Sequence, residues 1–367
     1  MTIEVAHDDL SRTRVVSDPE VALEPGQARL MVERFGLSAN NVTYGVMGEA
    51  MGYWRFFPAQ PGDDGTTWGR IPVWGFGVVA ESTSDDLAVG ERLFGYLPMG
   101  PELIIEVGRA SERTVADVSA HRAGLPSPYN SFQRCAVDPV YRPDREELQM
   151  LLFPLFFTSS VIDDFLEDHE DFGASQIIIS SASSKTAIGE ALLAHHRGAR
   201  VVGLTSAANQ AFVASLDCYD EVLTYDEVAS LERVPSVFVD VAGNRDVQAE
   251  VHRHLGDLLA HSMIVGVSHW DHETTTDLSE PLPGPTPAFL FAPTQIAKRT
   301  EDWGPEGLNE RVAASWDRFC EWISVWLELV PAVGTDEIIS TYEAVLDGHV
   351  DPKTGFICSW SPSLSSP

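Results

Sequence analysis

The chain reads as an α/β protein in which a β-rich domain is joined to a doubly wound parallel sheet. Three observations predict this. Gln176–Ser206, QIIISSASSKTAIGEALLAHHRGARVVGLTS, fits strand, tight turn, helix and strand into one stretch, as a βαβ unit of about 30 residues does. Short apolar runs recur after it, separated by helical or polar segments, as the later strands of the same sheet require. Before it, from Ala28 to Val107, the pattern is β-structure broken by glycine turns.

Ala28–Phe35 alternates apolar and polar residues, as a half-buried strand does. Pro72–Ser82 is a second strand, whose glycines suggest a bulge or a close approach. Val89–Tyr96 carries a turn into a third. Between the first two lies a segment, Ala39–Gly69, expected to be a loop and rich in rings: Tyr44, Tyr53, Trp54, Phe56, Phe57 and Trp68. So many rings either close a core edge or line a pocket. Residues 109–150 are rich in Pro and Arg, and Tyr129, Asn130, Arg134 and Tyr141 there either project into a cleft or dress a surface loop.

In the βαβ unit, Ile177–Ile179 is too short and too β-branched for a helix, and Ser180–Ser184 forms a small-residue turn. The helix shows Ile188, Leu192 and Leu193 on one face and stops at Gly198; Val201–Leu204 is the second strand. Such a turn presents helix N-terminal amides to a phosphate. The glycines of G-x-G-x-x-G are absent, with Ser181, Ser184, Lys185 and Ala187 in their region. Ser184-Lys185-Thr186 also resembles the end of a P-loop, with Asp240 as its magnesium ligand, but Ile179 and Ser184 replace both P-loop glycines. A dinucleotide fold is therefore preferred over a triphosphatase or an empty scaffold. Glu221–Asp226, Val237–Asp240, Met263–Val267 and Phe289–Phe291 are the third to sixth strands, with a helix over Asp246–Leu259. The polar segment His269–Pro287 is expected as a loop at the carboxyl edge of the sheet, where such folds bind ligands, and Leu308–Leu329 as a helix returning to the first domain.

Composition narrows the function. At 367 residues the chain is long enough for two domains with cores of their own. Fifty-five acidic residues against 24 basic ones give a net charge of −31, which disfavours nucleic acid and anionic membrane as partners. The four cysteines lack C-x-x-C spacing and imply neither a disulfide framework nor a zinc lobe. The N-terminus has no secretory pattern, and the apolar stretch Leu151–Phe157 is too short to span a bilayer. A cytoplasmic protein with a small-molecule substrate is expected, with a homodimer as its candidate assembly.

The segments EPGQARLMVERFGLSANNVTYG, RIPVWGFGVVAES and VGERLFGY, followed by the βαβ unit, resemble in order the medium-chain dehydrogenase/reductase superfamily. The likeness covers most of the chain and is greatest to the zinc-free quinone and enoyl reductase branch. It implies a GroES-like catalytic domain over residues 1–147, a Rossmann cofactor domain over 148–317, and a return to the catalytic domain over 318–367. It also implies a helix from Leu148 to Phe165 leading into the Rossmann strands, and a closing helix, turn and strand from Asp336 to Ile357. Zinc-dependent members carry a Cys after the first strand and Gly-His-Glu in the second; Ser38–Asn41 and Gly75-Phe76-Gly77 stand there instead. No metal is expected.

NAD-preferring sheets end the second strand in an acidic residue that bonds the ribose 2′-OH. Thr205 and Ser206 stand at that place, so NADP(H) is the expected cofactor. The serine-rich turn (Ser181, Ser183, Ser184, Thr186) would take the phosphates, and the resemblance puts Lys185, Asn209 and Tyr225 near the adenosine end. For catalysis the resemblance points to Tyr44, with Asn40 and Asn41, and to Tyr53 as runner-up. His269, just beyond the fifth strand, is a further candidate. Each, taken singly, reads more readily as a structural residue of a small β-domain or a loop. The expected reaction is zinc-independent reduction of an apolar carbonyl, enone or quinone. Two rivals stay open: a retro-aldol lyase on the same scaffold, with Tyr44 or His269 as base, and a catalytically silent nucleotide-binding protein.

Overall fold

The structure, a computed structural model, describes residues 1–265, 281–290, 292–348 and 350–361. The chain divides into two compact units, Met1–Pro154 with Trp322–Pro367, and Leu155–Glu321.

The first unit opens with β1 (Thr2–Ala6) and β2 (Thr13–Val16), a hairpin that hydropathy did not announce. Then come β3 (Gln27–Leu37), α1 (Ala39–Val46), β4 (Trp68–Gly69), β5 (Pro72–Ser82), β6 (Arg92–Pro98), β7 (Glu102–Gly108), β8 (Thr114–Asp117) and β9 (Ser131–Arg134). Helix α2 (Glu146–Asp168) comes after them. The second unit holds β10 (Gln176–Ile179), α3 (Lys185–His196), β11 (Val201–Thr205), α4 (Gln210–Ala214), β12 (Glu221–Thr224) and β13 (Ser236–Asp240). It continues with α5 (Arg245–Leu255), β14 (Leu259–Ile264), β15 (Ala288–Phe289) and α6 (Ala292–Ile323). The chain returns through β16 (Glu328–Val333), α7 (Thr335–Leu346) and β17 (Thr354–Ser359).

Eight strands of the first unit lie in the order β16-β17-β3-β5-β6-β9-β8-β7, and β3 also pairs β7, so the sheet curls back on itself. Strands β8 and β9 belong to the Pro- and Arg-rich segment 109–150, which is therefore part of this sheet rather than surface dressing. Alternating side chains fill the interior, with Phe35, Ile71, Val73 and Leu93 fully buried alongside Ile338 and Tyr342 of α7.

The second unit is a six-stranded parallel sheet, β12-β11-β10-β13-β14-β15, the strand order of a doubly wound fold. Its central strands read as continuous β-branched runs because both faces are covered. Ile178, Val202 and Phe238 pack with Val247 and Val251 of α5. Helix α3 is capped by Ser184, whose Oγ accepts from Ala187 N at 3.3 Å, and ends where Gly198 turns left-handed (φ +87°).

Several boundaries differ from expectation. The ring-rich segment is not a plain loop: Ser38 and Asn41 form a capping box that starts α1. The fifth strand begins at Leu259, because its pairing with β13 runs from Ser236↔Leu259 onward. The returning helix starts at Ala292, bends at Gly304-Pro305, and stops at Ile323. The chain then enters β16, an edge strand that tolerates Pro331. Helix Pro143–Asp168 is, among the described residues, the one long and apolar enough to cross a membrane, and half of its apolar window is buried in the protein. The helix expected over Leu148–Phe165 is present, continues through Pro154 and extends to Glu146–Asp168.

Candidate functional site

Two constellations gather residues singled out from the sequence, one in each unit. In the first, α1 places Asn40 and Tyr44 one turn apart, and Asn40 Nδ2 donates to Tyr44 Oη at 2.8 Å. Trp74, on β5, donates its Nε1 to the same oxygen at 3.1 Å. Tyr44 is buried, and loss of hydration pushes its pKa up. Around it stand Tyr53 (ring centroids 4.8 Å apart), Tyr96 (5.4 Å) and Tyr129 (6.4 Å). With two donors on its oxygen, Tyr44 keeps its own proton for a third partner. A protonated phenol so held is a hydrogen-bond donor toward a developing oxyanion.

Asn41 has a different place. Its Oδ1 accepts from Ser38 N at 2.8 Å and its Nδ2 donates to Pro72 O at 3.0 Å, so it fastens the start of α1 to β5. Tyr53 sits on a single 3-10 turn, Tyr53–Arg55, at the edge of the ring cluster. His269 lies outside the described residues.

In the second unit, the turn after β10 answers the absence of glycine. Ser181 adopts the left-handed conformation (φ +52°) that glycine would otherwise supply. Its N–H donates to Tyr225 Oη at 3.2 Å, and its carbonyl accepts from Ser184 N at 2.8 Å. Asn209 Nδ2 donates to Ser183 Oγ at 3.1 Å. Four residues proposed from sequence thus meet in two pairs, Ser181 with Tyr225 and Ser183 with Asn209. Lys185 and Thr186 form the first turn of α3, where the Thr186 carbonyl accepts from Ser159 Oγ at 2.8 Å. Thr205 ends β11, buried and in register with Thr224, and Ser206 is the next residue. Gly203 is needed for closeness, since a Cβ there would stand 2.9 Å from Ala182 Cβ and from Tyr219 Cδ1.

Asp240 anchors this turn. Ser180 Oγ donates to its Oδ1 at 2.7 Å and Gly243 N at 3.0 Å, while burial pushes its pKa up to about 6. That commitment corrects the magnesium role considered for it: its oxygens serve the fold's own donors. The turn as a whole offers hydroxyl and amide groups with no carboxylate at the end of β11, a donor set that suits an anionic oxygen group. Among the described residues, no three His, Cys, Asp or Glu side chains gather as metal donors.

Sequence reasoning missed Trp74 and Tyr96, which read as core positions of β5 and β6, and left Tyr129 undecided. Their alternation did carry a signal: on β5 and β6 they are directly opposite each other, Trp74↔Tyr96.

A family model described as a protein of unknown function (DUF2855) matches residues 35–351. No curated protein matches. The fold is similar to that of CurA from Vibrio vulnificus, solved in complex with NADPH, at a TM-score of 0.60 and 12% identity, over 95% of this chain and 94% of that one. It is similar also to the yhdH oxidoreductase from Salmonella enterica in complex with NADP (TM-score 0.52, 14% identity, 98% and 100% covered). A third is the CurK enoyl reductase (TM-score 0.55, 12% identity, 98% of each chain). The shared architecture is a β-rich domain with a parallel six-stranded sheet.

Proposed function

We propose that this chain, which belongs to the DUF2855 family, is a zinc-independent, NADP(H)-dependent oxidoreductase acting on an apolar carbonyl, enone or quinone. The observation that carries the reading is Tyr44: a buried phenol that accepts from Asn40 and Trp74 and keeps its proton. When bound, the cofactor supplies the hydride. Tyr44 then donates to the substrate oxygen as negative charge grows on it. The same burial opposes the form of the lyase reading in which Tyr44 takes the proton.

The residues of the second unit fit the cofactor. Ser183, Ser184 and Lys185 at the start of α3 would hold the pyrophosphate, and Thr205 with Ser206 the 2′-phosphate, as the left-handed Ser181 turn and the carboxylate-free end of β11 support. The similar folds solved with NADPH and NADP are in keeping with this. Zinc independence is supported by Ser38 and Asn41 capping α1, and by Gly75-Phe76-Gly77 within β5, where zinc ligands would otherwise stand.

The test is to mix the protein with NADPH and a panel of enones, quinones and ketones and to follow the reduced-nicotinamide absorbance, with zinc assayed in the same preparation. Substrate-dependent consumption with well under one zinc per chain is expected. Turnover of a hydroxycarbonyl compound without any absorbance change would reject the reading.

A further inference from the structure

The ring cluster around Tyr44 contains two buried hydrogen-bond donors that the fold leaves unpartnered. Tyr96 is fully buried. Its Oη lies within hydrogen-bonding reach of Tyr44, whose oxygen already accepts from Asn40 and Trp74, and forms no well-aligned hydrogen bond there. Arg122 is 1% exposed, with its guanidinium carbon 4.8 Å from the Phe57 ring centre and 5.6 Å from that of Phe56. Its Nε lies 2.9 Å from Asp117 Oδ2, and its Nη1 reaches Tyr129 O (3.3 Å) and Asn130 Oδ1 (3.4 Å), but its Nη2 has no partner. Phe56 and Tyr129 join the two groups: Tyr96 stands 5.2 Å from the first ring and 4.8 Å from the second.

Buried polar groups are nearly always satisfied, and two orphans in one cluster call for an explanation. Tyr96 Oη can donate, and Arg122 Nη2 can only donate. What would satisfy both is an acceptor, and the planar fork of an arginine suits a planar anionic oxygen group. Asp117 balances the charge while such a group is absent. Its Oδ1 is fixed by Ser119 N at 2.9 Å and Glu106 N at 3.2 Å, so the carboxylate cannot swing across to Nη2 without breaking those bonds. The surrounding rings offer flat apolar faces. Burial lowers the Arg122 pKa, as expected for a cation with incomplete compensation.

We propose that Arg122 and Tyr96 form a subsite for a planar carboxylate, so that the substrate of the reaction proposed above is a conjugated or aromatic carbonyl or enone whose otherwise apolar body carries one carboxylate. The inference rests on reading this cluster as the substrate site. Arg122 and Tyr96 are here specificity residues, distinct from the donor Tyr44.

Benzoate and its neutral isostere benzamide are the probes, read by tryptophan fluorescence of the whole chain, since Trp74 lies 5.1 Å from Tyr96. Benzoate should bind at least tenfold more tightly than benzamide. Arg122→Lys, which keeps the charge facing Asp117 but loses the fork, should remove that preference. Tyr96→Phe should weaken benzoate at least threefold while changing the melting temperature little, because its hydroxyl forms no well-aligned hydrogen bond. Equal binding of the two probes, no saturable benzoate binding, or unchanged benzoate affinity in both variants would overturn the proposal. NADPH binding and turnover, measured on the same preparations, keep the two readings apart. A protein that binds no NADPH yet prefers benzoate fails only as an oxidoreductase; one that turns over NADPH but ignores benzoate fails only here.

Discussion

Trp74 Nε1 lies 3.1 Å from Tyr44 Oη, so a β-strand indole and a helix amide from Asn40 together fill the acceptor side of one phenol. Tyr44→Phe removes the shared oxygen. It should leave the fold intact, cost about 1–2 kcal/mol of stability through the two stranded donors, and lower kcat by about 10²-fold or more. Trp74→Phe should lower kcat by a smaller factor, since it misplaces the phenol without deleting it. Steady-state kinetics beside thermal melts of both variants check this.

The left-handed Ser181 makes a prediction of opposite sign. A serine at φ +52° carries strain that glycine would not. Ser181→Gly should be neutral or stabilising, by up to about 1 kcal/mol after the entropy of the freer unfolded chain is set against it. NADPH affinity should persist. A clear loss of stability in denaturant titration would show that the serine hydroxyl itself holds the turn.

Cofactor choice is testable at the end of β11. NADPH should bind at least tenfold more tightly than NADH, a difference of about 1.4 kcal/mol. Ser206→Asp places a carboxylate where the 2′-phosphate would sit and should reduce or reverse the preference. Equal affinities in the unaltered protein would remove the basis for choosing NADP(H).

Asp240 predicts a pH dependence. Its folded pKa, about 6, exceeds the ordinary 3.8 because it is buried. The folded state therefore binds this proton more tightly than the unfolded one. The stability it contributes is full below about pH 4 and is lost as pH rises through about 6. Relative to Asp240→Asn, the unaltered protein should thus lose up to about 3 kcal/mol between about pH 4 and pH 7. Denaturant unfolding of the pair at several pH values measures that difference, and parallel profiles would contradict it.

Much of the fold was legible. Strand β5 matches its reading from Pro72 to Ser82 because alternation and turn glycines bound it on both sides. The βαβ unit was plain because Ile177–Ile179 and Gly198 are strong local signals. Where neighbours in space decide, legibility failed. Helix α1 hid because Asn41 completes its capping box in place of the usual Glu or Gln. Strand β16 looked like the tail of a helix because its apolar residues continue from Trp322 and Ile323. Of the candidate site, Tyr44 and the serine turn could be picked out from their motifs. Trp74, Tyr96 and Arg122 could not, and Tyr129 stayed undecided, since only the curled sheet and its connecting turns bring residues so distant in sequence beside Tyr44.

The central claim, reduction by NADPH with Tyr44 as donor, is tested most directly by label transfer. NADPH deuterated at the transferable position is incubated with the best substrate of the panel, and the product is weighed by mass spectrometry. The account predicts one deuterium per product molecule, formed at least about 10²-fold more slowly by Tyr44→Phe. Product without deuterium, or an equal rate from Tyr44→Phe, would contradict it.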